Sequence, residues 1–167
     1  MKQKKEIFEH VKPEQAQQVL RLYRFLADTE YYCTWTEDYP TEREVSYDLS
    51  RDALFCLKDE ETGEMLGVIS MDDDAEVEAM DCWSEELKPS KELSRIAVFP
   101  EYQNQGVARK LISCAMEKLK NQGYRGIHLL VAKSNEKALR SYQKLEFTTV
   151  GECEMFGCKF WCYEKKL

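Results

Sequence analysis

A polar turn at residues 103–108, Gln-Asn-Gln-Gly-Val-Ala, separates the apolar run Ile96–Val98 from a long amphipathic segment. The first amides of a helix have no partner within the helix and lie at the positive end of its dipole. Gly106 has no Cβ, so the backbone there can approach a ligand closely. The turn therefore offers aimed donors to a pyrophosphate, although a glycine at a helix start is common and an ordinary helix cap remains the alternative.

The elements around this turn follow from periodicity and caps. Thr41 and Glu44 form the pattern of a capping box and predict a helix start. Residues 105–122 have apolar positions on one side and predict a helix, and the continuous apolar run 126–131 predicts a buried strand. Residues 72–91 are acidic and predict a long excursion between strands. The second half of the chain thus reads strand, helix, strand, helix, strand, strand, which predicts an α/β fold with a mixed sheet.

The length and composition of the chain are those of an ordinary globular domain. The chain has 167 residues, 33% of them charged and 43% hydrophobic, and we expect one domain over residues 1–167. No apolar run approaches the roughly 20 residues that cross a bilayer, and the start does not resemble a secretory signal, so we expect a cytoplasmic protein. The net charge of −7 argues against a nucleic-acid partner. An acidic surface suits a cationic partner or serves solubility alone.

Three of the seven cysteines, Cys153, Cys158 and Cys162, cluster near the end of the sequence. They form no C-x-x-C pair, and only the two histidines, His10 and His128, could assist them, so we predict no metal site. The thiols are interpreted as reduced side chains packed on strands. His128 lies in the predicted buried strand and is interpreted as a core residue.

The turn also carries a family resemblance. Gln103–Ala108 matches the Q/R-x-x-G-x-G/A signature of the GCN5-related N-acetyltransferases. Leu93–Val98 resembles the fourth strand of that family, and Pro100–Tyr102 resembles the usual lead into the loop.

The resemblance continues into the last third of the chain. Asn135–Ala138 and Tyr142–Phe147 are similar to the later "N..A...Y...GF" segment of the family. The chain departs from this pattern at Glu146, where the family has a glycine in a turn, so we expect some backbone strain there. The matched region, Glu92–Phe147, is about a third of the chain.

The resemblance implies a mixed, mostly antiparallel sheet with a central parallel pair of splayed strands, flanked by helices. It implies acetyl-CoA as cosubstrate and direct transfer to an amine in a ternary complex. The pantetheine arm would bind between the splayed strands, and the Val98 N–H would polarise the thioester carbonyl. The residues implied to hold the cosubstrate are Ile96, Ala97, Val98, Gln103, Asn104, Gln105, Gly106, Val107, Ala108, Arg109, Asn135 and Ala138.

The same resemblance implies a proton acceptor and a proton donor. Glu92 lies where some members carry a base, and would deprotonate the amine through water, since a lysine-like ammonium has a pKa of about 10.4. Even spacing predicts that Glu92 shares a strand face with Ser94, Ile96 and Val98. Tyr142 matches the family's general acid for the leaving thiolate. The alternatives are an exposed glutamate at a strand start and a tyrosine packed on its helix.

Other polar candidates have equally simple alternatives. Asn135 would bond the pantetheine, or would cap a helix. Four cations could offset phosphate charge or be solvated: Arg109, Lys110, Lys137 and Arg140.

The acceptor is the least defined part of the prediction. Aromatic candidates for its walls, which could equally be core, are Tyr31, Tyr32, Trp35, Tyr39 and Trp161. Asp38 or the acidic excursion could attract a cation, so we expect a cationic small-molecule or peptide amine, and leave a homodimer open. The alternative function is a non-catalytic acyl-CoA-binding sensor; Glu92 and Tyr142 favour the enzyme.

Overall fold

The computed structural model describes residues 5–29 and 35–167. Within them, seven strands form one sheet in the order β1-β2-β3-β4-β5-β7-β6. The strands are β1 (Glu6–His10), β2 (Leu54–Asp59), β3 (Met65–Met71), β4 (Ser90–Val98), β5 (Gly126–Ala132), β6 (Thr148–Met155) and β7 (Cys158–Lys166). Neighbouring strands are antiparallel except for the central pair β4–β5, which is parallel. The predicted sheet is confirmed.

Helices cover both faces of this sheet. They are α1 (Ala16–Thr29), α2 (Glu42–Ser50), the single turn α3 (Ala75–Glu78), α4 (Val107–Asn121) and α5 (Glu136–Gln143). One core cluster joins the sheet to α4 and includes Leu93 and Tyr142. A second cluster joins the opposite face to α1 and to Val45 of α2. The two faces are called the α4–α5 face and the α1–α2 face below.

Local sequence signals determine two of the helix starts. The Thr41 side chain accepts from the Arg43 N–H at 3.3 Å, and the Thr41 N–H donates to Glu44 Oε1 at 3.0 Å, as the capping box predicts. Helix α4 begins at Val107, later than the predicted residue 105, because Gly106 has a φ of 78° and serves as a left-handed N-cap.

The acidic excursion, residues 72–91, packs against the sheet. Trp83 is only 8% exposed, and its indole N–H donates to the Val77 carbonyl at 2.8 Å. The Ser84 N–H donates to the Glu164 carboxylate of β7 at 3.0 Å. These contacts explain why a tryptophan occurs in a strongly acidic segment: it is the apolar anchor of the excursion.

Across the described ranges, no helix combines the length and the apolar character that crossing a membrane requires.

Candidate functional site

Strands β4 and β5 separate after a short common stretch. Their parallel pairing joins Ser90, Lys91 and Glu92 to Gly126, Ile127 and His128. Beyond Glu92, β4 continues only beside β3, and β5 continues only beside β7. The predicted splay of the central pair is therefore present, and a V-shaped opening lies between the two strands.

A cleft of about 470 Å³ lies at this opening, between β4, the turn before α4 and helix α5. Most of the residues predicted for the site line it. They are Ile96, Val98, Gln103, Asn104, Gly106, Val107, Ala108, Arg109, Asn135, Ala138 and Tyr142.

The start of α4 presents backbone donors to this cleft. The helical hydrogen bonds begin with the Lys110 N–H, which donates to the Gly106 carbonyl at 3.1 Å. The amides of Val107, Ala108 and Arg109 precede that bond and have no partner within the helix. A Cβ on Gly106 would lie 3.1 Å from Arg109 Nη2, and the φ of 78° is one that side chains disfavour. The backbone conformation therefore favours glycine here, whereas the Cβ contact is only with the flexible end of Arg109, which could move aside.

Four cationic residues line the same cleft: Arg109, Lys137, Arg140 and Lys144. None of the described residues that line the cleft is an aspartate or glutamate. In a chain with a net charge of −7, this concentration of positive charge favours an anionic ligand. Lys110 does not line the cleft, and its ammonium pairs with Glu6 of β1 at 2.9 Å.

Sequence reasoning missed three lining residues: Tyr102, Ser141 and Lys144. Ser141 and Lys144 follow Lys137 at intervals of four and three residues, the spacing that places side chains on one face of a helix. Helical periodicity counted from Lys137 could therefore have identified both.

Backbone alternation directs parts of β4 into the opening. The Phe99 N–H donates to the Leu66 carbonyl of β3 at 3.0 Å. In an antiparallel ladder, Ala97 then also directs its backbone groups at β3, whereas those of Ile96 and Val98 face away from it. The Val98 carbonyl instead accepts from Gln103 Nε2 at 3.3 Å.

Two of the predicted cosubstrate residues lie outside the cleft lining. Ala97 is 1% exposed and packs in the core of the α1–α2 face. The Gln105 side chain donates to the Glu101 carbonyl at 3.2 Å. The structure therefore brings neither side chain to the cleft.

A bulge changes the face pattern of β4. Val68 pairs with Ala97 and Ser70 with Ser94, so two steps along β3 span three along β4. Arg95, within this bulge, has a φ of 44°. The prediction that Glu92, Ser94, Ile96 and Val98 share one face is wrong, because the extra residue reverses the alternation.

The two faces of β4 consequently differ in chemistry. Ile96 and Val98 pack against the core of the α4–α5 face, as Leu93 does. Glu92 precedes Leu93 and lies on the other face, where the excursion covers it. The proposed base and the cleft-facing backbone are therefore on opposite sides of the sheet, joined through the V-shaped opening.

Glu92 is buried at the narrow end of the V. It is 5% exposed, its Oε1 accepts from the Asp74 N–H at 2.8 Å, and its own N–H donates to Asp73 Oδ1 at 3.0 Å. Burial raises the pKa of Glu92 to about 8; the charges of Asp74, Glu78 and Asp73 reinforce this, and the Asp74 N–H opposes it. The alternative of an exposed glutamate is wrong.

Tyr142 and Asn135 both combine a structural contact with a place in the cleft. Tyr142 is 7% exposed and packs edge-on against Phe147. The Asn135 side chain accepts from the Ala138 N–H at 3.2 Å, so it caps α5. For each residue, the packing or capping alternative coexists with the cleft position. Glu146 has the strained conformation expected of it, with a φ of 58°.

The candidate acceptor-wall residues have separate locations. Trp35 packs edge-on against Tyr23, and the Tyr39 hydroxyl accepts from Arg95 Nη1 at 2.9 Å, both on the α1–α2 face. Trp161 packs on the α4–α5 face, with the Lys133 ammonium 3.9 Å from its ring centre. Asp38 is exposed. Tyr31 and Tyr32 lie outside the described residues.

His128 belongs to a polar cluster below the excursion. It is 2% exposed; its Nδ1 is hydrogen-bonded to Ser90 Oγ at 2.7 Å and its Nε2 to Glu78. These two contacts satisfy both ring nitrogens, in agreement with a core histidine. A ligand atom of Asp73 also lies within 4.8 Å of those of Glu78 and His128. Asp73 is itself engaged by the Glu92 N–H.

Comparison with known proteins gives one family. The sequence description of the Acetyltransferase (GNAT) family matches residues 19–147. An acetyltransferase of Pectobacterium atrosepticum is 37% identical over 62 residues, which are 37% of this chain and 43% of that protein. The match thus spans less than half the length of this curated relative.

Solved structures share the fold over nearly the whole chain. An N-acetyltransferase from Staphylococcus aureus has a TM-score of 0.73 at 20% identity, over 97% of this chain and 98% of its own. A Salmonella typhimurium protein described as an acetyltransferase was solved with acetyl-CoA. It has a TM-score of 0.73 at 14% identity, over 96% of this chain and 93% of its own. The Escherichia coli ribosomal-protein-S18-alanine N-acetyltransferase has a TM-score of 0.71 at 16% identity, over 97% of this chain and 94% of its own. At these identities the likeness shows the fold alone.

Proposed function

We propose, from the premise that this chain belongs to the GNAT family of acetyltransferases, that it transfers an acetyl group from acetyl-CoA to a primary amine. One observation carries the proposal. The amides at the start of α4 and four cationic side chains converge on a cleft whose described lining contains no acidic residue, in a chain whose net charge is −7. Such a site suits the phosphates of a nucleotide-linked thioester.

Different residues of the cleft would bind different parts of the cosubstrate. The amides of Val107, Ala108 and Arg109 would bind the diphosphate. The backbone groups of Ile96 and Val98, which face away from β3, would bond the pantetheine arm as a further strand would. Ala97 would support this arrangement from within the sheet, where its backbone faces β3.

The chemistry needs a donor for the thioester oxygen and two proton transfers. The Val98 N–H would donate to that oxygen as it gains negative charge. Glu92, whose pKa is raised to about 8, would accept the proton of the acceptor ammonium, through water. Tyr142, which lines the cleft, would give a proton to the departing sulfur. Transfer would then be direct, in a ternary complex, without an acyl-enzyme.

The acceptor would approach from the α1–α2 face, where Glu92 lies. Asp73, Asp74 and Glu78 surround that carboxylate, and their charges favour a cationic amine. A protein alanine amine, the kind of acceptor in the name of the Escherichia coli neighbour, and a small polyamine both meet this description.

Two substitutions test the cosubstrate site against a matched control. Gly106→Ala introduces a Cβ beside Arg109 at a φ of 78°, and Gly63→Ala introduces one into open space at a φ of 73°. Both should lower stability by about 1 kcal/mol, but only Gly106→Ala should weaken acetyl-CoA binding, by about tenfold or more. Titration calorimetry on the folded variants measures this difference. Equal affinities in the two variants would contradict the placement of the diphosphate.

A thiol-release assay with acetyl-CoA tests catalysis. The acceptor panel should include polyamines, amino acids, aminoglycosides and peptides with free N-termini. Release of coenzyme A that depends on one acceptor class supports the transferase. Tight acetyl-CoA binding without turnover across the panel would instead support the alternative, a non-catalytic acyl-CoA sensor.

A further inference from the structure

Arg95 has a backbone conformation that is unusual for its position. Five non-glycine residues in the described part of the chain have a positive φ, and four of them lie in turns. Arg95, with a φ of 44°, lies inside strand β4. Residues with a Cβ adopt this region only at an energetic cost, so other contacts must hold Arg95 there.

The contacts that hold Arg95 come chiefly from the buried carboxylate of Asp48, on helix α2. Arg95 Nη2 donates to both oxygens of Asp48 of α2 at 2.8 Å, and Nη1 donates to the Tyr39 hydroxyl at 2.9 Å. Asp48 is 0% exposed and also accepts from the Ser70 hydroxyl at 2.6 Å. Ser70 pairs with Ser94, the residue before Arg95, so Asp48 joins α2 to both strands at the bulge.

The bulge decides which residues of β4 face the cleft. It adds one residue to β4 between Ser94 and Ala97 relative to β3. Without that residue, the alternation of the strand would turn Ile96 and Val98 toward the α1–α2 face and their backbone groups toward β3. The orientation of the residues assigned to the pantetheine arm therefore depends on a bulge whose Arg95 side chain is held by Asp48 of α2, on the other side of the sheet from the cleft.

We propose that Asp48 and Arg95 are positioning residues, which hold the β4 bulge by a buried ion pair and thereby keep Ile96 and Val98 directed into the cosubstrate cleft. This role rests on the proposed use of acetyl-CoA. It assigns Arg95 no contact with either substrate: its guanidinium is occupied by Asp48 and Tyr39.

A comparison of alanine with glycine at Arg95 separates the backbone from the side chain. Arg95→Ala and Arg95→Gly both remove the guanidinium and leave Asp48 without its cationic partner. Glycine adopts a φ of 44° freely and alanine does not, so the bulge should persist better in Arg95→Gly. We expect acetyl-CoA to bind Arg95→Ala about tenfold more weakly than Arg95→Gly, measured by titration calorimetry at a temperature where both are folded.

Asp52 supplies the matched control. It has a φ of 54° in the exposed turn between α2 and β2, away from the cleft. Asp52→Ala should melt at a lower temperature than Asp52→Gly, for the same backbone reason as at Arg95. Both Asp52 variants should bind acetyl-CoA as the wild type does. Asp48→Asn, which keeps the shape of the side chain and removes its charge, provides a milder variant if Arg95→Ala does not fold. It should weaken acetyl-CoA binding by severalfold.

The outcomes are distinct. Absence of acetyl-CoA binding by the folded wild type would overturn both the proposed function and the positioning role. If the wild type binds acetyl-CoA and Arg95→Ala, Arg95→Gly and Asp48→Asn all bind it with the wild-type affinity, the positioning role alone is overturned. Unchanged acetyl-CoA affinity with an equally raised KM for the amine in both Arg95 variants would instead make Arg95 an acceptor contact, and would also overturn it.

Discussion

Replacing Glu92 with glutamine should change how the stability of the protein depends on pH. Glu92 is 5% exposed, and burial raises its pKa from the ordinary 4.5 to about 8. Glutamine has nearly the same shape, and its carbonyl oxygen can accept from the Asp74 N–H as Glu92 Oε1 does at 2.8 Å. The substitution therefore removes the ionisation of the group while it preserves this contact.

The sign of the effect follows from the direction of the shift. A carboxyl group with a raised pKa holds its proton more tightly in the folded protein than in the unfolded chain. Its contribution to the free energy of unfolding is constant below about pH 4.5 and decreases as the pH rises from there to about 8. At about 1.4 kcal/mol per pH unit, the wild type loses up to about 4 kcal/mol between pH 5 and pH 8 through this group.

Urea unfolding at pH 5, 6, 7 and 8 measures the effect. The stability of Glu92→Gln relative to wild type should increase by about 3–4 kcal/mol across this range. Glu76→Gln removes an exposed acid from the same excursion and should follow the wild-type pH dependence. A Glu92→Gln difference that is independent of pH would refute the argument that Glu92 is a buried acid with a raised pKa. The same variant should lose about a hundredfold in kcat if Glu92 is the base.

Two further substitutions test the cleft. Lys144→Glu reverses a charge in the cleft lining, so calorimetry should show coenzyme A binding weakened about tenfold at low salt and less at high salt. Lys110→Glu is the control: its native side chain pairs with Glu6, so it should weaken binding less. Tyr142→Phe keeps the ring against Phe147 and removes only the hydroxyl, so the folded variant should lose about a hundredfold in kcat in the thiol-release assay. Unchanged kcat would exclude Tyr142 as the general acid.

Local signals explain why much of the cleft could be predicted from the sequence. Gly106 precedes an amphipathic run, and both features act within a few residues, so the helix was predicted to within two residues of its start, although its left-handed cap was not. The capping box at Thr41 is equally local. The splay of β4 and β5 was implied by family resemblance, because no local signal marks where two strands cease to pair.

Contacts between distant segments explain what the sequence did not reveal. Arg95 is not a residue type that indicates a positive φ; its conformation depends on Asp48, which lies 47 positions earlier. The sequence left open whether Glu92 is an exposed strand end, because the excursion that buries it folds back through distant contacts of Trp83 and Asp74. Lys144 was overlooked although helical spacing from Lys137 indicates it.

The bulge in β4 places the two halves of the proposed reaction on opposite faces of the sheet, and the splay of β4 and β5 gives them a place to meet. Val98 faces the cosubstrate side of the sheet, and Glu92 faces the side from which the amine would approach. An intact sheet would separate them, because paired strands leave no passage between the faces. Beyond Glu92, however, β4 and β5 no longer pair. A thioester held beside Val98 and an amine deprotonated near Glu92 could therefore come together in that opening, and nowhere else along β4, since β3 closes its other edge.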